Sequence, residues 1–329
     1  MTGVLYGLDA ARRHRVAELR AQGRFFWLDL SLSETSREDL IAVLDPEGRA
    51  HRAFPGSGDD RRSRAMHVDG ASIGFALRCY ASWEGPGGEE APRLRPLRVH
   101  VVVTGDYLLT LHEEPVSLPA VLAPDLPPER GRRYVVYSVL DAMLASTFDG
   151  LEEVELTLDA LAATWTDEDG APIPGATLRE AGTRLATMRR WVTAEQAVIG
   201  RLGVEIRALR GFDADDEPSF DRLSQQVNHL LVSIDAAANG MGMLLDLQLN
   251  QRAYLVSVVA TIFVPLTFIT GFFGMNFGWM VDHIGSPVAF ALLGLVVPGA
   301  TALLVWRLLV RRFLVGDAPR RMLTPRPRP

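Results

Sequence analysis

Lysine is absent from this chain: all 34 basic residues are arginine, a bias of the kind a GC-rich genome produces. Cysteine is nearly absent as well. Cys79 alone excludes an intramolecular disulfide and a thiolate metal cluster, and no His/Cys cluster in the sequence would hold a dehydrated Zn2+. A GxxxxGK[ST] phosphate loop is missing, which argues against ATP-driven pumping. No catalytic constellation stands out, so neither enzymatic activity nor a resident cofactor is expected. The opening "MTGVLYGLDAARRHRVAELR" lacks a basic segment followed by an apolar one. No signal peptide is expected, and the N-terminal body is read as cytoplasmic.

Positive charge is concentrated in the tail. After Trp306 come seven arginines and one acid, Asp317, leaving the first 306 residues with 34 less 7 basic and 40 less 1 acidic side chains, about −12. An acidic body argues against a nucleic-acid partner, because phosphate binding needs the opposite field. It suits metal cations, and it also serves solubility.

What the chain does have is two long apolar runs, in a composition that is 48% hydrophobic. Tyr254 to Phe273 is about 20 residues, which rises about 30 Å as a helix, the thickness of a hydrocarbon core. Pro287 to Val310 is a second such run, interrupted by Arg307 near its end. A buried core helix rarely stays apolar on all sides for this long, so both are read as transmembrane helices. The loop from Asn276 to Ser286 carries no basic residue, whereas Arg252 precedes the first run and Arg307, Arg311 and Arg312 close the second. The positive-inside rule then places both termini in the cytoplasm and the loop outside, in a plasma (inner) membrane. Trp279 and Trp306 fall near opposite interfaces.

Ahead of the spans, "RFFWLDLSL" and "ASIGFALRCYASW" read as strands, and "LRVHVVVTGDYLLTLHEE" as a hairpin turning at Thr104-Gly105-Asp106. "SETSREDLIAVL" reads as a short capped helix. The fold class is thus an α/β cytosolic domain (1–132), followed by an antiparallel helical pair (133–217) joined through "TDEDGAPIPGA". Pro218 opens a stalk helix (218–252) that runs into the first span (253–275) without a breaker before Gly274. The outer loop (276–286), the second span (287–310) and a basic cytosolic tail (311–329) complete the chain.

On a helical projection, Asn250, Ala253, Ser257, Ala260, Thr261, Val264, Gly271 and Gly274 share a stripe, flanked by Val256 and Thr267. Leu255, Ile262, Leu266, Ile269 and Phe273 lie opposite, and Phe268 interrupts the small-residue stripe. Small and hydroxyl side chains permit close helix approach or line a water-filled path.

"TIFVPLTFITGFFGMNF" resembles the end of the first transmembrane helix in the CorA superfamily of divalent-cation transporters, whose signature is Gly-Met-Asn. The layout resembles that family over essentially the whole chain. "NQRAYLVS" resembles the ZntB branch, which carries zinc. CorA proteins commonly have Tyr where Phe273 stands, and an acidic outer loop where this chain has "GWMVDHIGSP"; cation choice stays open between Mg2+, with Co2+ or Ni2+ as substitutes, and Zn2+.

The resemblance implies a homopentamer in membrane lipid, with five first spans around a pore. Gly274, Met275 and Asn276 would form its selectivity signature, with five Asn276 amides at the outer mouth. Neutral carbonyl oxygens suit a hydrated Mg2+, which gives up water reluctantly. Asn250 would line the inner entrance, Val256 and Val264 apolar constrictions, and Ala253, Thr267 and Gly271 other pore-facing positions. Asp213, Asp215, Asp216 and Glu217 in "FDADDE" would be regulatory cation ligands. Plainer readings stand beside each: Gly274 and Asn276 as a left-handed helix cap, the valines as packing, the acids as partners of a helix dipole, and Asp282 and His283 as solvated loop residues. A membrane-anchored sensor or scaffold without transport is the alternative of another class.

Overall fold

Asp9 opens the first helix by accepting a hydrogen bond from the Arg12 amide at 2.8 Å, which satisfies one of the donors a helix start leaves unpaired. In this computed structural model that helix, α1 (Ala10–Ala21), follows a short strand, β1 (Gly3–Tyr6). The structure describes residues 3–33, 35, 39, 43–44, 66–68, 70–82, 94–126, 131–166, 174–212, 220–275, 278, 282 and 286–315. Most of the helix expected in "SETSREDLIAVL" lies outside these residues.

Five more strands complete one sheet: β2 (Phe26–Ser31), β3 (His67–Val68), β4 (Ser72–Ser82), β5 (Leu94–Thr104) and β6 (Tyr107–His112), in the order β1-β2-β6-β5-β4-β3. β1, β2 and β6 run parallel, and β6, β5, β4 and β3 pair antiparallel. The hairpin turns where expected. Thr104 Oγ1 accepts from the amides of Asp106 and Tyr107 at 3.2 and 3.0 Å. Gly105 is required there, because a Cβ would stand 2.9 Å from the Arg210 carbonyl oxygen.

β2 and β6 are buried along their whole length, as strands covered on both faces must be. One core gathers Val16 and Leu19 of α1 with Phe26, Leu28, Leu30, Tyr107, Leu109 and Leu111. A short helix, α2 (Leu118–Leu122), follows β6, and then come α3 (Arg132–Thr166) and α4 (Gly175–Glu205). α4 buries Leu178, Ala181, Leu185, Met188, Val192, Glu195, Ile199 and Leu202, a 3–4–3–4 spacing that marks one helix face. β3 covers only Ile73 and Gly74 of β4. Farther along this edge, the Arg78 amide donates to Glu195 of α4 (2.7 Å) and the Tyr80 amide to Ser146 Oγ of α3 (3.0 Å). Side chains thus satisfy an edge that would otherwise invite another strand.

α5 (Phe220–Phe273) is one helix of 54 residues, about 80 Å long at 1.5 Å per residue. The second apolar helix begins at Ser286, whose Oγ accepts from the Ala289 amide at 3.1 Å. It comprises α6 (Pro287–Ala291), a π-helical turn (Leu292–Val296) and α7 (Val297–Val315). Pro298 has no amide to offer the Gly294 carbonyl, and the wider turn falls where that bond is lost. The chain divides into two compact units, Met1–Gly242 and Met243–Pro329.

Candidate functional site

The apolar part of α5 presents the residues singled out on the stripe. Asn250, Ala253, Val256, Ser257, Ala260, Thr261, Val264, Thr267 and Gly271 are all exposed in the single chain. Val256 is 70% exposed, Val264 67% and Phe268 73%. Such exposure on a stretch of mean hydropathy 2.2 leaves apolar surface that water does not tolerate. The second helix has a mean hydropathy of 2.4 and is likewise unburied. These are two helices long and apolar enough to cross a membrane.

The threonine hydroxyls of this stretch are bonded to the helix's own backbone. Thr261 Oγ1 donates to the Ser257 carbonyl (2.7 Å), Thr267 to Phe263 (2.8 Å) and Thr270 to Leu266 (2.9 Å). Such i−4 bonds let a polar residue stand in an apolar helix without an orphaned proton. Pro265, inside the helix, cannot donate to the Thr261 carbonyl.

The helix end differs from a left-handed glycine cap. Gly274 is absent from the residues with positive φ. Its amide continues the helix by donating to the Thr270 carbonyl (2.9 Å), and the Met275 amide bonds Phe272 at 3.3 Å in a tighter last turn. A Cβ on Gly274 would lie 3.0 Å from the Thr270 carbonyl oxygen of its own helix. Met275 is 50% exposed. Asn276 lies outside the described residues, as do His283 and the candidate regulatory acids Asp213, Asp215, Asp216 and Glu217; Asp282 is exposed. Among the described residues no group of three or more His, Cys, Asp or Glu could hold a metal ion.

Sequence reasoning missed a polar network buried in the sheet. Asp29, Thr110 and His112 are fully inaccessible, as is Trp27. Trp27 Nε1 donates to Thr110 Oγ1 (3.0 Å), which donates to Asp29 Oδ1 (2.6 Å), while the Leu118 amide of α2 donates to Asp29 Oδ2 (2.8 Å). His112 Nε2 stands 3.2 Å from Asp29 Oδ1, at ion-pair distance though off the hydrogen-bond axis, and Nδ1 lies 2.7 Å from the Glu114 carbonyl. Burial lowers the proton affinity of His112, but the adjacent Asp29 carboxylate and the bond to the Glu114 carbonyl outweigh that and raise it above the ordinary value. Glu195 on α4 is the other buried acid. Desolvation pushes its carboxyl up to about 8, against the Arg78 amide and guanidinium, which pull it down. The signal for both was present only as polar residues within apolar runs.

A groove of about 480 Å3 lies between α2, α3 and the start of α5, with Asp141, Asp149 and Arg222 among its walls. Asp141 is engaged, accepting from Gln226 Nε2 (2.8 Å) and Tyr137 (3.4 Å).

Comparison with known proteins joins these features. A family profile described as "CorA-like Mg2+ transporter protein" matches residues 24–312. The cobalt/magnesium transport protein CorA of Thermotoga maritima is 25% identical over 173 residues, half of this chain and 48% of that protein. The chain thus spans about half the length of this curated relative. The zinc transport protein ZntB of Klebsiella pneumoniae is 26% identical over 84% of this chain and 85% of its own. Among solved structures, full-length CmaX superposes with a TM-score of 0.54 at 21% identity, covering 87% of each chain. The CorA magnesium transporter from Methanocaldococcus jannaschii gives 0.50 at 16%, covering 93% and 88%. The fold is therefore that of these proteins: an N-terminal α/β domain, long helices and two C-terminal apolar helices. This chain belongs to the CorA-like Mg2+ transporter family.

Proposed function

We propose that this protein passes hydrated divalent cations across the plasma (inner) membrane, with both termini in the cytoplasm, through a pore built from several copies of the apolar part of α5. The observation that carries this reading is that part itself. A helix long enough to span carries an exposed stripe of small and hydroxyl residues and is followed in the sequence by Gly274-Met275-Asn276. Two helices cannot enclose a path, so the pore is a self-assembly, a homopentamer by resemblance. Val256 and Val264 form its apolar constrictions, Asn250 and Ala253 lie toward the inner end, and Thr267 and Gly271 toward the outer. Asn276 amide oxygens ring the mouth and hold the ion through its waters. The membrane potential drives entry by about 2.3 kcal/mol per charge per 100 mV, roughly twice that for a divalent ion. Asp213, Asp215, Asp216 and Glu217 are the proposed cytosolic ligands through which the cation limits its own entry.

Mg2+ is the proposed cargo, with Co2+ and Ni2+ as substitutes. A second reading, Zn2+ transport, is favoured by the match along 85% of a protein named for zinc. Uptake of each ion into liposomes carrying the purified protein decides between them. Mg2+ entry that Asn276→Ala abolishes is the expected result. Zn2+ entry without Mg2+ entry favours the second reading, and no entry of any of the four ions refutes transport.

A further inference from the structure

The buried network around Asp29 belongs to no ion path, yet its geometry constrains a proton. His112 Nδ1 faces a carbonyl oxygen, so it must carry hydrogen to bond there. Nε2 then faces the Asp29 carboxylate, itself an acceptor already taking hydrogens from Thr110 and the Leu118 amide. A lone pair at Nε2 would oppose a carboxylate at 3.2 Å, out of reach of water, and a second ring proton turns that opposition into an ion pair. Both partners of the ion pair are fully inaccessible.

Three parts of the fold meet at this pair. Asp29 comes from β2, His112 from the end of β6, and the amide on Asp29 Oδ2 from the first residue of α2. The charged and titratable groups facing it are few. Asp29 and Glu114 act on the imidazole, and the Cys79 thiol of β4, which feels both acids, is driven by burial far above its usual range and stays neutral.

We propose that Asp29 and His112 form a proton-operated latch, closed while His112 is doubly protonated, which holds the 113–122 segment and α2 against the sheet and releases it when the cytosol turns alkaline. The sign follows from linkage. A histidine whose proton affinity is raised by folding contributes stability that is complete below its ordinary value of 6.5 and is lost as pH rises through its higher folded value. Release begins at α2, which also borders the groove along α3.

Hydrogen exchange on the full chain in lipid nanodiscs tests this between pH 6 and 9, with rates corrected for intrinsic base catalysis. Peptides covering 113–122 should lose at least about tenfold protection as pH rises in the wild type. His112→Asn should show the low protection at every pH. Asp29→Asn, which removes the counter-charge, should move the loss to lower pH, and it serves as the second probe if His112→Asn does not fold. Protection of 113–122 that stays constant after correction, or a His112→Asn profile matching wild type, overturns the latch.

Discussion

The two units of this molecule place their apolar side chains in opposite ways. In Met1–Gly242, Trp27, Phe26, Leu28 and Val101 are fully buried, and the polar groups among them bond one another. In Met243–Pro329, large apolar side chains such as Val256, Val264, Phe268, Leu295 and Leu304 stand exposed, and the threonines bond their own helix. The first unit carries its solvent-excluding core within itself. The second buries little of itself, and under the proposed assembly lipid and sister copies supply its interior. Identical substitutions should therefore cost folding in one unit and function in the other.

The largest expected effect is at Asn276. Its change to alanine should cut divalent-cation uptake by at least about tenfold in liposomes, through loss of the proposed oxygen ring, while leaving thermal unfolding of the Met1–Gly242 unit unchanged. A matched loss of stability would break the distinction between the units. Leu28→Ala should cost about 2–5 kcal/mol by denaturant unfolding, since the side chain is wholly buried. Val264→Ala, at 67% exposure, should leave that stability within about 0.5 kcal/mol and appear instead as altered flux.

The pH dependence sharpens the comparison, because the shifted groups lie in the first unit. Burial, with Arg98 adding to it, lowers His100 to about 4. Its contribution is present above the ordinary histidine value and is lost as pH falls from 6.5 toward 4. Glu195, raised to about 8, works the other way: its contribution is complete below the ordinary carboxylate range and is lost as pH climbs to about 8. His100→Gln should flatten the acid limb of Tm against pH, and Glu195→Gln should flatten part of the alkaline limb, with neither changing cation selectivity. Breaking the exposed Arg189–Asp235 pair should cost less than about 1 kcal/mol.

Much of the architecture could be read from the sequence because its signals are local. Pro218 and Gly274 bracket α5 to within a residue or two of Phe220 and Phe273. Thr-Gly-Asp gives the hairpin, and long apolar runs give the spans. β1 and α1 escaped reading: one is four residues long, the other has a weakly apolar face among five charged residues. The parallel pairing of β2 with β6 escaped because it joins residues some eighty positions apart. The same separation hid Asp29 from Thr110 and His112. In sequence each is a polar residue within an apolar strand; only the register makes them neighbours. Of the proposed site, the stripe on α5 was visible through its period. The helix end was less visible, since a glycine there suggests a left-handed cap, whereas the Gly274 amide still bonds the Thr270 carbonyl as a helical residue does.

The back-bonded threonines of α5 bear on the sign of charge. A hydroxyl has one proton, and in Thr261, Thr267 and Thr270 it is spent on a carbonyl of the preceding turn. Toward anything outside the helix these oxygens can only accept. Water around a cation turns its hydrogens outward, whereas water around an anion turns its oxygens outward. At these three positions the helix offers acceptors and no donors, which suits the first shell better than the second with no formal charge at all.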